Sequence, residues 1–242
     1  MNHDTEALPS LKAGDLDLSF GREGITNVYF PALMNGQARA VVRYNEDRLI
    51  VANWVNGACE LFRLLHDGAV DRSFGMNGVV VVKFEEGFDS RVSRICVQPD
   101  GKLVLAGVRG PSTLGRGLPA LARLDKDGRP DPTFGVDGKV VFRVRPENTV
   151  LALVGIDAVL GEQGEILMTF PYYDVDAGGI GRGTTLLLRV KEDGELRSTT
   201  PIQFQGHSTE LASIALGKDG KIVVGGYITE YSGGGGHTPG FC

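Results

Sequence analysis

The stretch Asp100-Gly101-Lys102-Leu103-Val104-Leu105-Ala106-Gly107 decides the fold, because the chain keeps returning to it. Asp219-Gly220-Lys221-Ile222-Val223-Val224-Gly225-Gly226 repeats it near the other end. Gln163-Gly164-Glu165-Ile166-Leu167-Met168-Thr169-Phe170 is a worn copy, and Glu46-Asp47-Arg48-Leu49-Ile50-Val51-Ala52-Asn53 another. Positions 47, 101, 164 and 220 align, which gives spacings of 54, 63 and 56 residues. Each copy is a two-residue turn followed by four or five apolar, mostly β-branched or aliphatic residues. That pattern predicts a hairpin turn leading into a strand buried on both faces. Self-similarity at this period predicts one supersecondary unit used four times.

A second phrase recurs between the copies of the first. It reads Leu16-Asp17-Leu18-Ser19-Phe20-Gly21, then Val70-Asp71-Arg72-Ser73-Phe74-Gly75, then Pro130-Asp131-Pro132-Thr133-Phe134-Gly135. The fourth copy, Leu196-Arg197-Ser198-Thr199-Thr200-Pro201, has lost both the aromatic ring and the glycine. Just upstream stand Gly14, Gly68, Gly128 and Gly194, three of them preceded by aspartate, the pair favoured where a turn needs positive φ.

Each unit then offers four strands. Strand a is expected at 25–30, 79–84, 139–144 and 202–204, and strand b at 38–44, 92–97, 151–160 and 211–216. Strand c is the opening phrase, and strand d is expected at 61–65, 120–124 and 186–190. No segment shows ten residues at a 3.6-residue period, and Gly or Pro punctuates every dozen residues, so helices find little support. Antiparallel four-stranded units in tandem predict an all-β fold, a β-propeller built from four four-stranded repeats. A β-sandwich would use as many strands but gives no reason for a regular period. The whole chain reads as one domain, with repeats at about 15–68, 69–128, 129–194 and 195–242.

The last unit has strands a, b and c but no clear strand d, whereas residues 7–14 align with the d strand and turn of later units. They are expected to supply the closing strand, with 7–11 paired against 222–227. Pro9 suits an outermost strand, which tolerates a missing donor. Two geometries satisfy that pairing: a four-bladed monomer, or a strand-exchanged homodimer with eight blades. Effective concentration favours the monomer.

Composition narrows the partners. Hydrophobic residues make up 42% and charged residues 23% of the chain, ordinary for a soluble protein, while 35 glycines fit many short strands and tight turns. A net charge of −5 without a basic stripe argues against nucleic acid. No run approaches a membrane span and no signal peptide is visible, so a cytoplasmic setting is expected, with leaderless export or a removed leader as the alternatives. The three cysteines, Cys59, Cys96 and Cys242, make no disulfide pattern.

The phrases Leu-Asp-x-Ser-Phe-Gly-x-x-Gly and Val-Gln-Pro-Asp-Gly-Lys-Leu-Val-Leu-Ala-Gly, the latter at 97–107, resemble the bacterial delta-60 repeat, a β-propeller repeat. The resemblance runs from about residue 8 nearly to the end, clearest in the second unit and weakest in the fourth. It implies a propeller-like scaffold, in that family usually of many copies within long and often exported chains. It implies neither a catalytic residue nor a cofactor.

Propeller topology sorts the connections. Turns b–c and d–a open on one face and are uniform; a–b and c–d open on the other and vary, at 55–60, 109–119, 172–184 and 228–240 among the c–d segments. Function concentrates in variable loops on a rigid scaffold, which makes that face the candidate site. Two of its segments share Gly-Arg-Gly, and Arg116 and Arg182 there are candidates to hold a carboxylate or phosphate. Solvated arginines inherited with the repeat are the plainer reading. Aromatics gather where strand c exits, among them Trp54, Phe170, Tyr172, Tyr173, Tyr227 and Tyr231, and suit stacking on a sugar or on a partner's side chain. Packing against the neighbouring blade explains such rings equally well.

Asp125-x-Asp127-Gly128-x-x-Asp131 has the look of a calcium loop, but Leu65 and Lys191 replace the first aspartate in other units, and the segment matches the ordinary d–a turn. The four histidines fall at unrelated repeat positions, so no metal is expected. Glu85, Glu86, Asp89 and Glu147 lie in a–b segments, where exposed acids are the default. The sequence thus points to a non-enzymatic scaffold for a protein, small-molecule or saccharide ligand. The alternative is a hydrolase or lyase acting on a saccharide or small anion through loop carboxylates and arginines.

Overall fold

The computed structural model describes residues 12, 14–27, 36–110, 117–144, 146–151, 156–176 and 179–230. These form four antiparallel sheets in a row. The first contains β1 (Gly36–Asn45), β2 (Arg48–Val55), β3 (Ala58–Leu64) and β4 (Val79–Val82) in that order. The second contains β5 (Asp89–Val97), β6 (Leu103–Gly110), β7 (Leu118–Leu124) and β8 (Lys139–Val141). In the third, β9 (Thr149–Leu151) and β10 (Asp157–Leu160) both pair with β11 (Ile166–Asp176), followed by β12 (Gly179–Val190) and β13 (Leu196–Ile202). The fourth is the pair β14 (His207–Leu216) and β15 (Ile222–Glu230).

The sheets are offset from the sequence repeats by one strand. Each full sheet takes strands b, c and d of one unit and strand a of the next. First strands pack on one another along the row, β1 on β5, β5 on β10 and β10 on β14, so the b strands form its inner edge.

Burial explains why the opening phrase is apolar at every position. On β6, Leu103 and Leu105 enter the core between sheets one and two, while Val104 and Ala106 enter the core between sheets two and three. On β11, Ile166, Met168 and Phe170 face the second core and Leu167 faces the third. Full burial of each such side chain contributes about 1.5–3 kcal/mol. The pattern weakens toward the ends of the row: the third core holds only Leu167, Leu187 and Ile214 as buried residues. Val41 on β1 is 65% exposed and Val223 on β15 is 59% exposed, so the two outer faces of the row are uncovered by described residues.

Several boundaries differ from the sequence expectation. Strand b of the third unit is described in two parts, β9 and β10, with 152–155 outside the described residues, and it starts at Thr149 rather than 151. Strand a of the fourth unit begins at Leu196 rather than 202, because without Phe-Gly the second phrase has no turn and stays extended. The segments 55–60 and 172–184 are hairpins rather than loops. Asn56 and Gly57 make a tight turn with φ of 46° and 79°, and β11 and β12 remain paired as far as Asp176 and Gly179. The expected closing strand, 7–11, lies outside the described residues, and β15 pairs only with β14 among those described.

Candidate functional site

The two faces of the row are built differently, and the uniform one is occupied by its own side chains. In the first three copies of the second phrase a serine or threonine caps the aspartate: Asp17, Asp71 and Asp131 accept the N–H and hydroxyl of Ser19, Ser73 and Thr133. Arg63 on β3 then donates from Nε to Asp71 at 2.8 Å and from Nη2 to Ser73 at 3.1 Å. Its Nη1 reaches across to the Lys126 carbonyl of the next sheet, also at 2.8 Å. Its guanidinium lies 4.8 Å from the Phe74 ring centre. Arg123 on β7 repeats the arrangement with Asp131, Thr133, the Glu192 carbonyl and Phe134. Beside each pair the Phe-Gly turn donates to the next sheet, Gly75 N–H to the Asp127 carbonyl and Gly135 N–H to the Asp193 carbonyl. Arginine, aspartate and Phe-Gly together form a clamp between adjacent sheets.

Burial opposes the charge on Asp71 and Asp131. The hydroxyl and N–H of Ser73 or Thr133 outweigh it together with the facing cations, and both carboxyls lie below the usual 3.8. Each clamp has a second cation from the start of strand c: Arg48 lies 3.6 Å from Asp71 and Lys102 lies 3.2 Å from Asp131. In the third sheet the signs are exchanged. Glu165 stands at the Lys102 position and Arg197 at the Asp131 position, 3.5 Å apart, with Arg189 at 3.4 Å from the same carboxylate. The buried arginines escaped the sequence reading. Their signal was present in strand d, where Phe62-Arg63-Leu64, Ala122-Arg123-Leu124 and Leu188-Arg189-Val190 place an arginine at one position inside apolar runs. The Asp125 segment serves this turn: Asp125 accepts the N–H groups of Asp127 and Arg129 while Asp131 faces Arg123.

The opposite face carries groups that change from sheet to sheet. Trp54, at the end of β2, lies under Arg91 of β5 with the guanidinium carbon 5.1 Å from the ring centre. The indole Nε1 and Asp89 Oδ2 are both shielded from solvent and have no hydrogen-bond partner among the described residues. Nearby strand ends bring Glu85 against Arg109, with Arg143 at 3.0 Å from the same carboxylate and Arg109 stacked 3.2 Å from the Phe88 ring centre. Two guanidiniums share one carboxylate there, so the cluster carries net positive charge.

A second group sits between sheets three and four. Tyr172 is not part of it: it faces the core between sheets two and three, buried beside Phe170 with ring centres 6.4 Å apart. Tyr173 bonds to Glu210, and burial together with that carboxylate raises the tyrosine's pKa. Tyr227 stands across from Glu210 in the β14–β15 register and is 45% exposed. Arg182 lies within β12 and donates to the His207 carbonyl at 2.6 Å and to the Phe204 carbonyl. It anchors a turn, and in this structure its donors point at backbone. The structure thus gathers Tyr173, Arg182 and Tyr227 around β14, while Tyr172 faces the core between sheets two and three and Trp54 stands in a separate group at the first sheet boundary. Arg116 and Tyr231 lie outside the described residues.

A family-model comparison agrees with the repeated all-β architecture. A β-propeller domain of unknown function, DUF5122, matches residues 98–134 and 217–237, the segments that hold the two best copies of the opening phrase. These two segments are similar to β-propeller repeats. Among solved structures, one described as a new family of polysaccharide lyase, PL25 ulvan lyase, is similar over 78% of this chain at 13% identity with a TM-score of 0.42. This chain spans 49% of that one. No curated protein matches. Among the described residues no helix is long and apolar enough to cross a membrane.

Proposed function

We propose that this chain is a non-enzymatic β-propeller scaffold of the delta-60 type that binds a saccharide or small anion on the face where the a–b and c–d connections open. The observation that supports this most strongly is the Trp54 group. A flat indole for stacking, a guanidinium against it and unpaired polar atoms on Trp54 and Asp89 stand together at a sheet boundary. Stacking with hydrogen bonding is the chemistry that holds a sugar ring, and the Glu85–Arg109–Arg143 cluster adds the positive charge an acidic substituent needs. The face opposite is committed mainly to clamps between sheets; of its groups the buried Gln98 Oε1 has no hydrogen-bond partner among the described residues, and no exposed ring stands beside it.

Trp54 is the chain's one tryptophan, so its emission reports on this site alone. Titration with neutral sugars, acidic sugars and inorganic sulfate is expected to change that emission saturably for at least one probe. Arg91→Ala should abolish the response without unfolding the protein. Saturable thermal stabilisation with Trp54 unmoved would overturn this location. The hydrolase or lyase reading has its own observation, the Tyr173–Glu210 pair beside Arg182, a hydroxyl and a carboxylate within hydrogen-bond reach as proton-transfer chemistry requires. Time-dependent conversion of a saccharide that disappears in Tyr173→Phe would favour it.

A further inference from the structure

We propose that Arg109 and Arg143 form a seat for the acid group of a saccharide, a carboxylate or a sulfate, and that Glu85 fills this seat until the ligand displaces it. The proposal rests on the reading that this face binds a saccharide at Trp54. Glu85 lies three residues beyond β4 and carries its carboxylate across to the second sheet. There it meets Arg109 near the end of β6, and Arg143 just past β8 at 3.0 Å. Two guanidiniums around one carboxylate present donors in the planar fork that holds carboxylate and sulfate groups.

The parts of the seat are held with unequal firmness. Arg109 is fixed: its side chain is 10% exposed, and its guanidinium lies 3.2 Å from the Phe88 ring centre. Glu85 is not. Unlike the clamp aspartates, it accepts from no serine, threonine or backbone N–H among the described residues. It stands on the a–b turn, where Gly87 has a φ of 80° and a Cβ added there would meet nothing within 4 Å. The tie between this turn and β5 is upstream of it, where Phe84 N–H donates to the Ser90 hydroxyl at 2.8 Å. Rotation of the Glu85 side chain therefore opens the seat and leaves the sheet intact. Arg143, 65% exposed, admits solvent to it, and a partly exposed ion pair is a weak latch.

The register sets the seat beside the Trp54 group. Arg109 pairs with Ser90, and Ser90 is flanked by Asp89 and by the Arg91 that lies over the indole. The seat and the Trp54 group thus share the ends of β5 and β6. An acid group held by Arg109 and Arg143 directs the ring that carries it along β5. There it meets the indole and the shielded Trp54 Nε1 and Asp89 Oδ2, which have no hydrogen-bond partner among the described residues.

Isothermal titration of the full chain with inorganic sulfate and with glucuronate tests the seat. Glu85→Gln keeps the size of the side chain and removes its charge, and should tighten both probes at least tenfold. Glu86→Gln removes the same charge from the same turn, at a side chain that is 79% exposed, and should change them less than twofold. Arg143→Gln should weaken both at least fivefold, in the wild type and in Glu85→Gln alike. Equal gains from Glu85→Gln and Glu86→Gln, or no gain from Glu85→Gln, would overturn the proposal. So would loss of the fold in Glu85→Gln by circular dichroism, since a displaceable carboxylate is not needed for folding. Trp54→Phe separates the seat from the reading beneath it, and should weaken glucuronate more than sulfate. If it moves neither probe while the Glu85→Gln gain persists, the seat stands for a free anion and the saccharide reading falls. If it weakens glucuronate while Glu85→Gln gives no gain, the saccharide reading stands and the seat falls.

Discussion

The d–a turns and the c–d hairpins stand at opposite ends of the same strands, and they differ in how their charged groups are matched. At the d–a end the same residues recur and meet the same partners, so Arg63 and Arg123 each have three internal acceptors and a ring beneath them. At the c–d end each sheet carries something different: an indole under an arginine, two arginines on one glutamate, a tyrosine on a glutamate. Repetition in the sequence marks what holds the sheets together, and the departures from repetition mark where a ligand is to be sought.

The largest effect expected from breaking this contrast is at the clamps. Arg123 is 2% exposed, and Arg123→Ala leaves the buried Asp131 carboxylate with Lys102 as its remaining cation, so the unfolding free energy should fall by about 3 kcal/mol. Arg189→Ala, at the same repeat position but in the more exposed, sign-exchanged sheet, should cost less than about 1 kcal/mol. Equal losses in a denaturant titration would show that the clamp is not what distinguishes the sheets.

Acid should expose the same difference more mildly. Asp71 and Asp131 have folded pKa values below 3.8, so the stability they contribute is complete above about pH 4 and is lost as pH falls toward the folded values. Sheet three has Arg197 at that position and contributes no such term. Asp71→Asn combined with Asp131→Asn should therefore flatten the fall in thermal midpoint below pH 4, and an unchanged acid slope would contradict the assignment.

The strands were legible because the opening phrase is apolar on both faces, and Leu103 to Ala106 are indeed divided between two cores. The turns were legible because Asp-Gly has one strong use, and Gly101 and Gly220 both adopt positive φ, at 84° and 75°. The register of sheets against repeats was not legible, since antiparallel neighbours along the chain do not reveal which strand starts a blade. The c–d segments were read as loops because glycine and charge interrupt them, yet two-residue turns absorb the interruption at Asn56-Gly57. At the candidate site, Trp54 stands at a strand end as expected of the aromatic candidates, whereas Tyr172, Tyr173 and Tyr227 lie inside strands that run further than the sequence suggested. What the sequence could not show was that Arg182 turns onto backbone carbonyls and that Arg91, never singled out, lies over Trp54. Both depend on contacts between strands distant in the chain.

The central claim, that the repeated arginine and aspartate act as one clamp, is tested most directly by a double-mutant cycle on Arg123 and Asp131. Urea unfolding of Arg123→Ala, Asp131→Ala and the double variant is predicted to give a coupling energy of about 2–3 kcal/mol. The same cycle on Arg197 and Glu165 should give less than about 1 kcal/mol. Additivity within about 0.5 kcal/mol at Arg123 and Asp131 would contradict the account.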